Sequence, residues 1–285
     1  MKRLAPLSVE NRLHQLAQHA TDCLIEEVNL TPKPGLVDRR GNGAHQDLTL
    51  ALMERSARSL TPTFLALAQQ SWLRPADVAL RETIGQLGRE GERQMMAVTG
   101  GVNTHRGAIW AMGLLVSAAA MLGDQANSAS LCASAAELAR LPDRAAPKTF
   151  SNGLRAVHRY QVTGAREEAQ QGFPHIRQLA LPQLRRSRRA GAEEQAARLD
   201  ALMAIMTSLS DTCVLNRAGL QGMDTMQRGA EAVLQAGGVS QPAGRAALQQ
   251  LDSAMLALNA SPGGAADLLA ATLFIDRLSA SPLTD

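Results

Sequence analysis

The run GAIWAMGLLVSAAAML, residues 107–122, is apolar or small throughout except for Ser117. It is shorter than the roughly 20 residues needed to cross a bilayer, so it reads as a helix buried in a protein core. The rest of the chain agrees with a helical class. Ala, Leu, Gln and Arg dominate, while aromatic residues make up 2% of the 285 positions, so strand-favouring residues are scarce. No alternating apolar pattern, internal repeat or long linker interrupts the chain. The expected fold is all-α: a single compact multi-helix bundle over residues 1–285, with its active site formed by loops at helix ends.

Apolar periodicity places the helices around that core. Leu13, Leu16, Ala17, Ala20, Cys23, Leu24 and Val28 recur at three- and four-residue steps behind Ser8, a suitable N-cap. Further helices are expected over 48–70 with a break at Pro62, and over 75–98 with Pro75 in the first turn. Beyond the core run they are expected over 128–140, 149–160, 174–187, 192–210, 220–236, 242–258 and 265–278. Gly85, Gly88 and Gly91 lie inside the 75–98 helix, where glycine costs about 1 kcal/mol relative to alanine, which points to close approach of another helix or a ligand.

Charge and cysteine usage exclude several classes. With 29 basic and 26 acidic residues the net charge is only +3, which does not call for a polyanionic partner. The basic run RQLALPQLRRSRRAG (177–191) has no interleaved aromatics to stack bases and reads as a solvated face, so no nucleic acid is expected. Cys23, Cys132 and Cys213 form no CxxC pattern and fit a reducing cytosol. The N-terminal stretch has a basic start but no uninterrupted apolar segment. A cytoplasmic protein with no membrane partner is expected.

Four polar, glycine- or proline-rich loops carry the chemistry. The first, NLTPKPGLVDRRGNGAHQD (29–47), holds Lys33 between Pro32 and Pro34, which stiffen it. A lysine on such a support suits a phosphate, and Asp38, His45 and Asp47 offer a metal ligand or a proton-transfer pair; a solvated surface loop is the plain alternative. The second, TGGVNTHRG (99–107), sets Gly100, Gly101, Asn103, Thr104, His105 and Arg106 before the core helix, as an anion site or simply a cap, with Glu92 close upstream. In the third, SLSDTCVLNRAG (208–219), Asp211 reads as the end of a helix, where the dipole disfavours a carboxylate, so Arg217 or a metal ion is expected beside it. The fourth, NASPGGAADLLAATLF (259–274), enters a helix through Gly263 and Gly264, and helix capping accounts for Asp267. His14, His19, His158 and His175 have no ligand spacing and read as ordinary helix or loop residues.

EVNLTPKPGLVDRRGNGAHQD, GGVNTHRGAIW, DTCVLNRAG and SPGGAADLLAATLF, in that order, resemble the triphosphoribosyl-dephospho-coenzyme A synthases, over nearly the whole chain. The match is looser around Asp211, where the family pattern carries an asparagine nearer the place of Cys213 and a second glycine at that of Ala218. The resemblance implies an all-helical transferase that converts ATP and 3'-dephospho-CoA into 2'-(5''-triphosphoribosyl)-3'-dephospho-CoA and adenine, with Mg²⁺ as cofactor. On this reading Lys33, Pro34, Gly35, Arg39, Gly100, Gly101, Asn103, Thr104, Arg106, Arg217, Gly263 and Gly264 hold substrate. Glu92, Asp211 and Asp38 hold Mg²⁺, and Asp47, His45 and His105 are catalytic, with Asp47 as base oriented by His45. The product would pass to a phosphoribosyl-dephospho-CoA transferase and an acyl carrier protein, and a homodimer is compatible. The compact, Ala- and Arg-rich chain leans towards service to malonate decarboxylase over citrate lyase. A magnesium-dependent helical nucleotide or ADP-ribosyl hydrolase is the rival enzyme class.

Overall fold

The computed structural model describes residues 8–146 and 152–280. Within them the chain forms α1 (Val9–Asn29), α2 (Leu50–Ser59), α3 (Thr61–Ser71), α4 (Val78–Val98), α5 (Arg106–Leu122), α6 (Ser128–Arg140) and α7 (Asn152–Tyr160). It continues with α8 (Ala165–Gln170), α9 (Leu181–Arg189), α10 (Glu194–Met206), α11 (Thr212–Gln235), α12 (Pro242–Ala257) and α13 (Gly263–Ala280). Among the described residues the only β pairing is an isolated bridge between Asp38 and Gly41.

The core run is the centre of the bundle, as its composition requires. Helix α5 packs against α1, α3, α4, α6 and α13, and every residue from Ala111 to Ala120 is buried. Around it, the whole predicted stripe of α1 from Leu13 to Val28 faces inward. Ser8 caps α1 by accepting the Asn11 N–H at 3.2 Å.

Several boundaries differ for local reasons. The 48–70 segment breaks at Leu60, and Pro62 falls in the first turn of α3, where its missing N–H costs nothing. Asp77 starts α4 by accepting the Leu80 N–H at 2.6 Å, which leaves Pro75 outside the helix. The 174–187 segment opens as a π-helical turn, His175–Ala180, before α9; Pro182 cannot donate to the preceding turn, and the wider turn accommodates it. Helix α8 has no counterpart in the sequence reading and is only six residues long. The DTCVLNRAG stretch is helical rather than loop, joined to the 220–236 helix across a kink at Gly219 (φ 64°, ψ −159°). The 149–151 portion of the predicted 149–160 helix lies outside the described residues.

The opening loop is a solvated surface loop only in its second half, where residues 39–43 and 46–47 are exposed. Residues 33–38 are all buried, and Val37 joins Val28 and Leu48 in a small apolar cluster of its own. Gly35 sits at φ +66° against the fourth loop, where a Cβ would come within 2.3 Å of the Ala260 carbonyl oxygen, so only glycine lets these loops meet. The basic run likewise is not free: on α9, Arg188 bridges Glu194 and Asp276 at 2.8 and 2.6 Å.

Candidate active site

Asp38 organises the first loop. Its carboxylate accepts the Thr31 hydroxyl (3.1 Å), the Lys33 N–H (2.8 Å), and the N–H and Nε–H of Arg40 (2.7 and 3.0 Å). Arg40 then reaches Asp252 on α12 at 2.7 Å, and Asp252 also accepts the Gly35 N–H at 3.0 Å. The arginine that builds the loop is therefore Arg40. Arg39 is exposed and donates to Asn29 at 3.1 Å. Lys33 does not project to solvent: it is 1% exposed and its Nζ lies 2.5 Å from Glu27 Oε1 on α1.

The second loop is tied down by hydrogen bonds. Gly100 and Gly101 (φ +67° and +91°) close α4, with the Gly101 N–H donating to the Met96 carbonyl at 2.8 Å. Asn103 accepts the Arg106 N–H at 3.2 Å, and the Thr104 hydroxyl pairs with that of Ser56 at 2.6 Å. His105 is buried, with Nδ1 2.9 Å from Ser56 Oγ. Burial, then the Lys33 charge, pull its imidazole down to about 4, so it is neutral at physiological pH. Arg106 pairs with Glu92.

The third and fourth loops meet at one carboxylate. Asp211 is not at the end of α10, which stops at Met206, but is the N-cap of α11. Its Oδ1 accepts the Cys213 N–H at 2.8 Å and the Val214 N–H at 3.3 Å, while Oδ2 accepts the Ala265 N–H at 2.9 Å. Gly264 donates as well, so one buried Asp caps both α11 and α13, where the dipoles favour it. Gly263 and Gly264 permit this approach: Cβ atoms there would stand 3.1 Å from Cys213 Sγ and 3.0 Å from Asp211 Oδ2. Burial raises the Asp211 carboxyl against the opposing pull of these amides. Arg217 is not its partner. Instead Arg217 bonds the Ala44 carbonyl and both the main chain and side chain of Asn259, locking the first loop to the fourth. At the same seam His45 Nε2 is 2.8 Å from Ser261 Oγ, and its Nδ1 is 3.7 Å from the exposed carboxylate of Asp47. Burial, then Arg217, lower the His45 imidazole.

Asp267 does more than serve its own helix. From the second turn of α13 it reaches the start of α5 and accepts the Ala108 N–H. A Cβ on Gly107 would lie 2.1 Å from its Oδ2, so this contact requires glycine. Its carboxyl is raised well above the ordinary value by burial first, then by the carboxylates of Glu27 and Asp211.

Two cavities flank this first turn of α5, with Trp110 lining both. The smaller, about 50 Å³, is lined by Asp211, Asp267, Gly107 and Gly264 and also by Glu168 and His175. Glu168 is 7% exposed; its Oε1 accepts the His175 N–H at 3.0 Å and its Oε2 stands 2.7 Å from His175 Nδ1. A carboxylate fixed on Nδ1 sets the tautomer and leaves Nε2 for proton transfer. The sequence reading passed over this pair, whose members sit seven residues apart across the Gly172-Phe173-Pro174 turn. The signal available was a glutamate and a histidine bracketing that turn. Glu168→Gln is expected to lower kcat about 100-fold with little change in KM, measured by adenine release, because it withdraws the group that orients the imidazole. The larger cavity, about 240 Å³, lies between α4 and α5 and includes Arg106 and Glu92.

The predicted metal ligands are not brought together. Among the described residues no group of three or more His, Cys, Asp or Glu side chains is close enough to hold an ion. Asp38 is engaged by Arg40 and main-chain amides, Asp211 by four amides, and Glu92 by Arg106. This set does not fit a resident Mg²⁺, which needs carboxylate oxygens free to complete an octahedron.

The family described as CitG: ATP:dephospho-CoA triphosphoribosyl transferase matches residues 13–283. The chain belongs to that family. This transferase is 71% identical over 279 residues to the 2-(5''-triphosphoribosyl)-3'-dephosphocoenzyme-A synthase of Klebsiella pneumoniae, covering 98% of this chain and all of the relative. It is 60% identical over 279 residues to a relative from Stutzerimonas stutzeri (strain A1501) whose name places it in the same synthase class, covering 97% of this chain and 94% of the other. A crystal structure from Archaeoglobus fulgidus, assigned to a triphosphoribosyl-dephospho-coA synthase, shares the fold with a TM-score of 0.53 at 16% identity, over 79% of this chain and 97% of that one.

Proposed function

We propose that this transferase cleaves the bond between adenine and ribose of ATP and passes the triphosphoribosyl group to the 2'-hydroxyl of 3'-dephospho-CoA. The observation that carries this reading is the presence, in the lining of one small cavity, of a carboxyl pushed towards its protonated form and a carboxylate-oriented imidazole. Departure of adenine needs a proton donor, and the incoming hydroxyl needs a base. Asp267, whose carboxyl is pushed towards its protonated form, supplies the first role, and His175, oriented by Glu168, the second. The ribosyl centre gains positive charge as the base leaves, and the Asp267 carboxylate formed by proton donation stabilises it. Inversion from the β-nucleoside to an α linkage suits a single displacement with acid and base on opposite faces of the sugar. Asp47 with His45, at the seam of loops one and four, remains the alternative base.

Residues 1–285 act as one domain on this reading, in the cytoplasm. Mg²⁺ enters as the counter-ion of the ATP triphosphate and not on a carboxylate cluster of the protein. The product serves a phosphoribosyl-dephospho-CoA transferase and an acyl carrier protein, that of malonate decarboxylase in preference to citrate lyase.

Mass spectrometry of a reaction with ATP and 3'-dephospho-CoA tests the proposal. The expected result is adenine release that depends on dephospho-CoA, with a CoA product heavier by one triphosphoribosyl group. Adenine release into water alone would instead mark a hydrolase.

A further inference from the structure

The larger cavity carries a charge imbalance that the acid–base chemistry does not use. Among the described residues, Arg81, Arg89 and Arg106 line it against two carboxylates, Asp143 and Glu92, and Glu92 is taken by Arg106. Arg81 and Arg89 must share a single oxygen, Asp143 Oδ2, at 3.3 and 2.7 Å. Arg81 is 7% exposed, its Nε has no hydrogen-bond partner among the described residues, and its guanidinium lies 5.3 Å from the centre of the Trp110 ring. Arg166 adds further positive potential at Arg81. A buried guanidinium with one nitrogen unmatched and its carboxylate shared with a second arginine is undercompensated, and planar guanidinium donors suit phosphate oxygens. The same α4 wall is open at Gly88, where the nearest atom to an added Cβ is Ile109 Cγ2 at 4.0 Å.

We propose that this cavity binds the phosphate chain of a nucleotide, gripped by Arg81 and Arg89, with Trp110 as the partition from the small cavity where the sugar reacts. The assignment to a substrate rests on the reading of the reaction given above. The shared chemistry is a di- or triphosphate, from either ATP or the pyrophosphate of dephospho-CoA.

Calorimetric titration with inorganic triphosphate tests the site without turnover. Wild-type protein is expected to bind it in competition with a nucleotide substrate, and Arg89→Gln to weaken binding tenfold or more. Gly88→Leu fills the cavity from an unobstructed position while replacing glycine by a better helix former, so its melting temperature should not fall although triphosphate binding is lost. Initial rates of both variants then identify the source: a tenfold rise in KM for ATP assigns the triphosphate, and the same rise for dephospho-CoA assigns the pyrophosphate. No binding by wild type, or a Kd within twofold of wild type in both variants, overturns the proposal and leaves the arginines as a clamp on the 141–146 segment. A catalytically silent protein that still binds triphosphate in this pattern would refute the reaction and keep the site.

Discussion

Asp267→Asn is expected to reduce the rate of adenine release by about 10²–10⁴-fold, the range typical of a lost general acid or base, while raising thermal stability at pH 8. Both effects have the same origin. Burial and the carboxylates of Glu27 and Asp211 hold the Asp267 carboxyl well above 3.8, so the fold retains its proton where the unfolded chain has lost it. Stability contributed by this group is full below about 3.8 and declines as pH rises to its folded value, leaving a constant penalty above. Asparagine keeps an acceptor for the Ala108 N–H but carries no charge to desolvate. The variant should therefore melt higher than wild type at pH 8, with the gap closing towards pH 4. Its residual activity should also lack the alkaline fall expected of wild type as Asp267 ionises. A variant within threefold of wild-type kcat would remove Asp267 from the chemistry.

The parts of the fold that were legible in the sequence are those set by local pattern. Helix α6 begins and ends where its periodicity does, Ser128–Arg140, because Asn127 caps it and the chain turns at once beyond Arg140. The core status of α5 follows from its own residues. The position of Asp211 relative to α10 is a tertiary outcome: the preceding helix stops at Met206, four residues short of the expected 210, and the second helix that Asp211 caps starts more than fifty residues later. The Arg81–Asp143–Arg89 cluster joins α4 to a loop that follows α5 and α6 in the chain, which no window on the sequence connects. Glu168 and His175 escaped for a different reason. Their i, i+7 spacing would set them on one face of a continuous helix but about two turns, roughly 10 Å, apart, and only the turn through Phe173, at φ 55°, brings them together.

Lys33 shows how far burial can invert a reading made from residue type. If it were an exposed phosphate ligand, Lys33→Met would raise a KM and leave stability nearly unchanged. In the fold it is 1% exposed and paired with Glu27, itself 5% exposed. Removing one partner of such a pair strands the other charge without water, at a cost of about 3–5 kcal/mol. Lys33→Met is therefore expected to lose about that much in urea unfolding at neutral pH. Replacing both partners by apolar residues, Glu27→Leu with Lys33→Met, should restore most of the loss, because no bare charge remains. The single variant carries a second signature. The Lys33 charge helps to hold the His105 imidazole at about 4, so its removal should move that titration upward, read from the ring proton shifts. A stability loss below 1 kcal/mol together with a raised KM would return Lys33 to the substrate and place the Glu27 contact among the weak surface pairs.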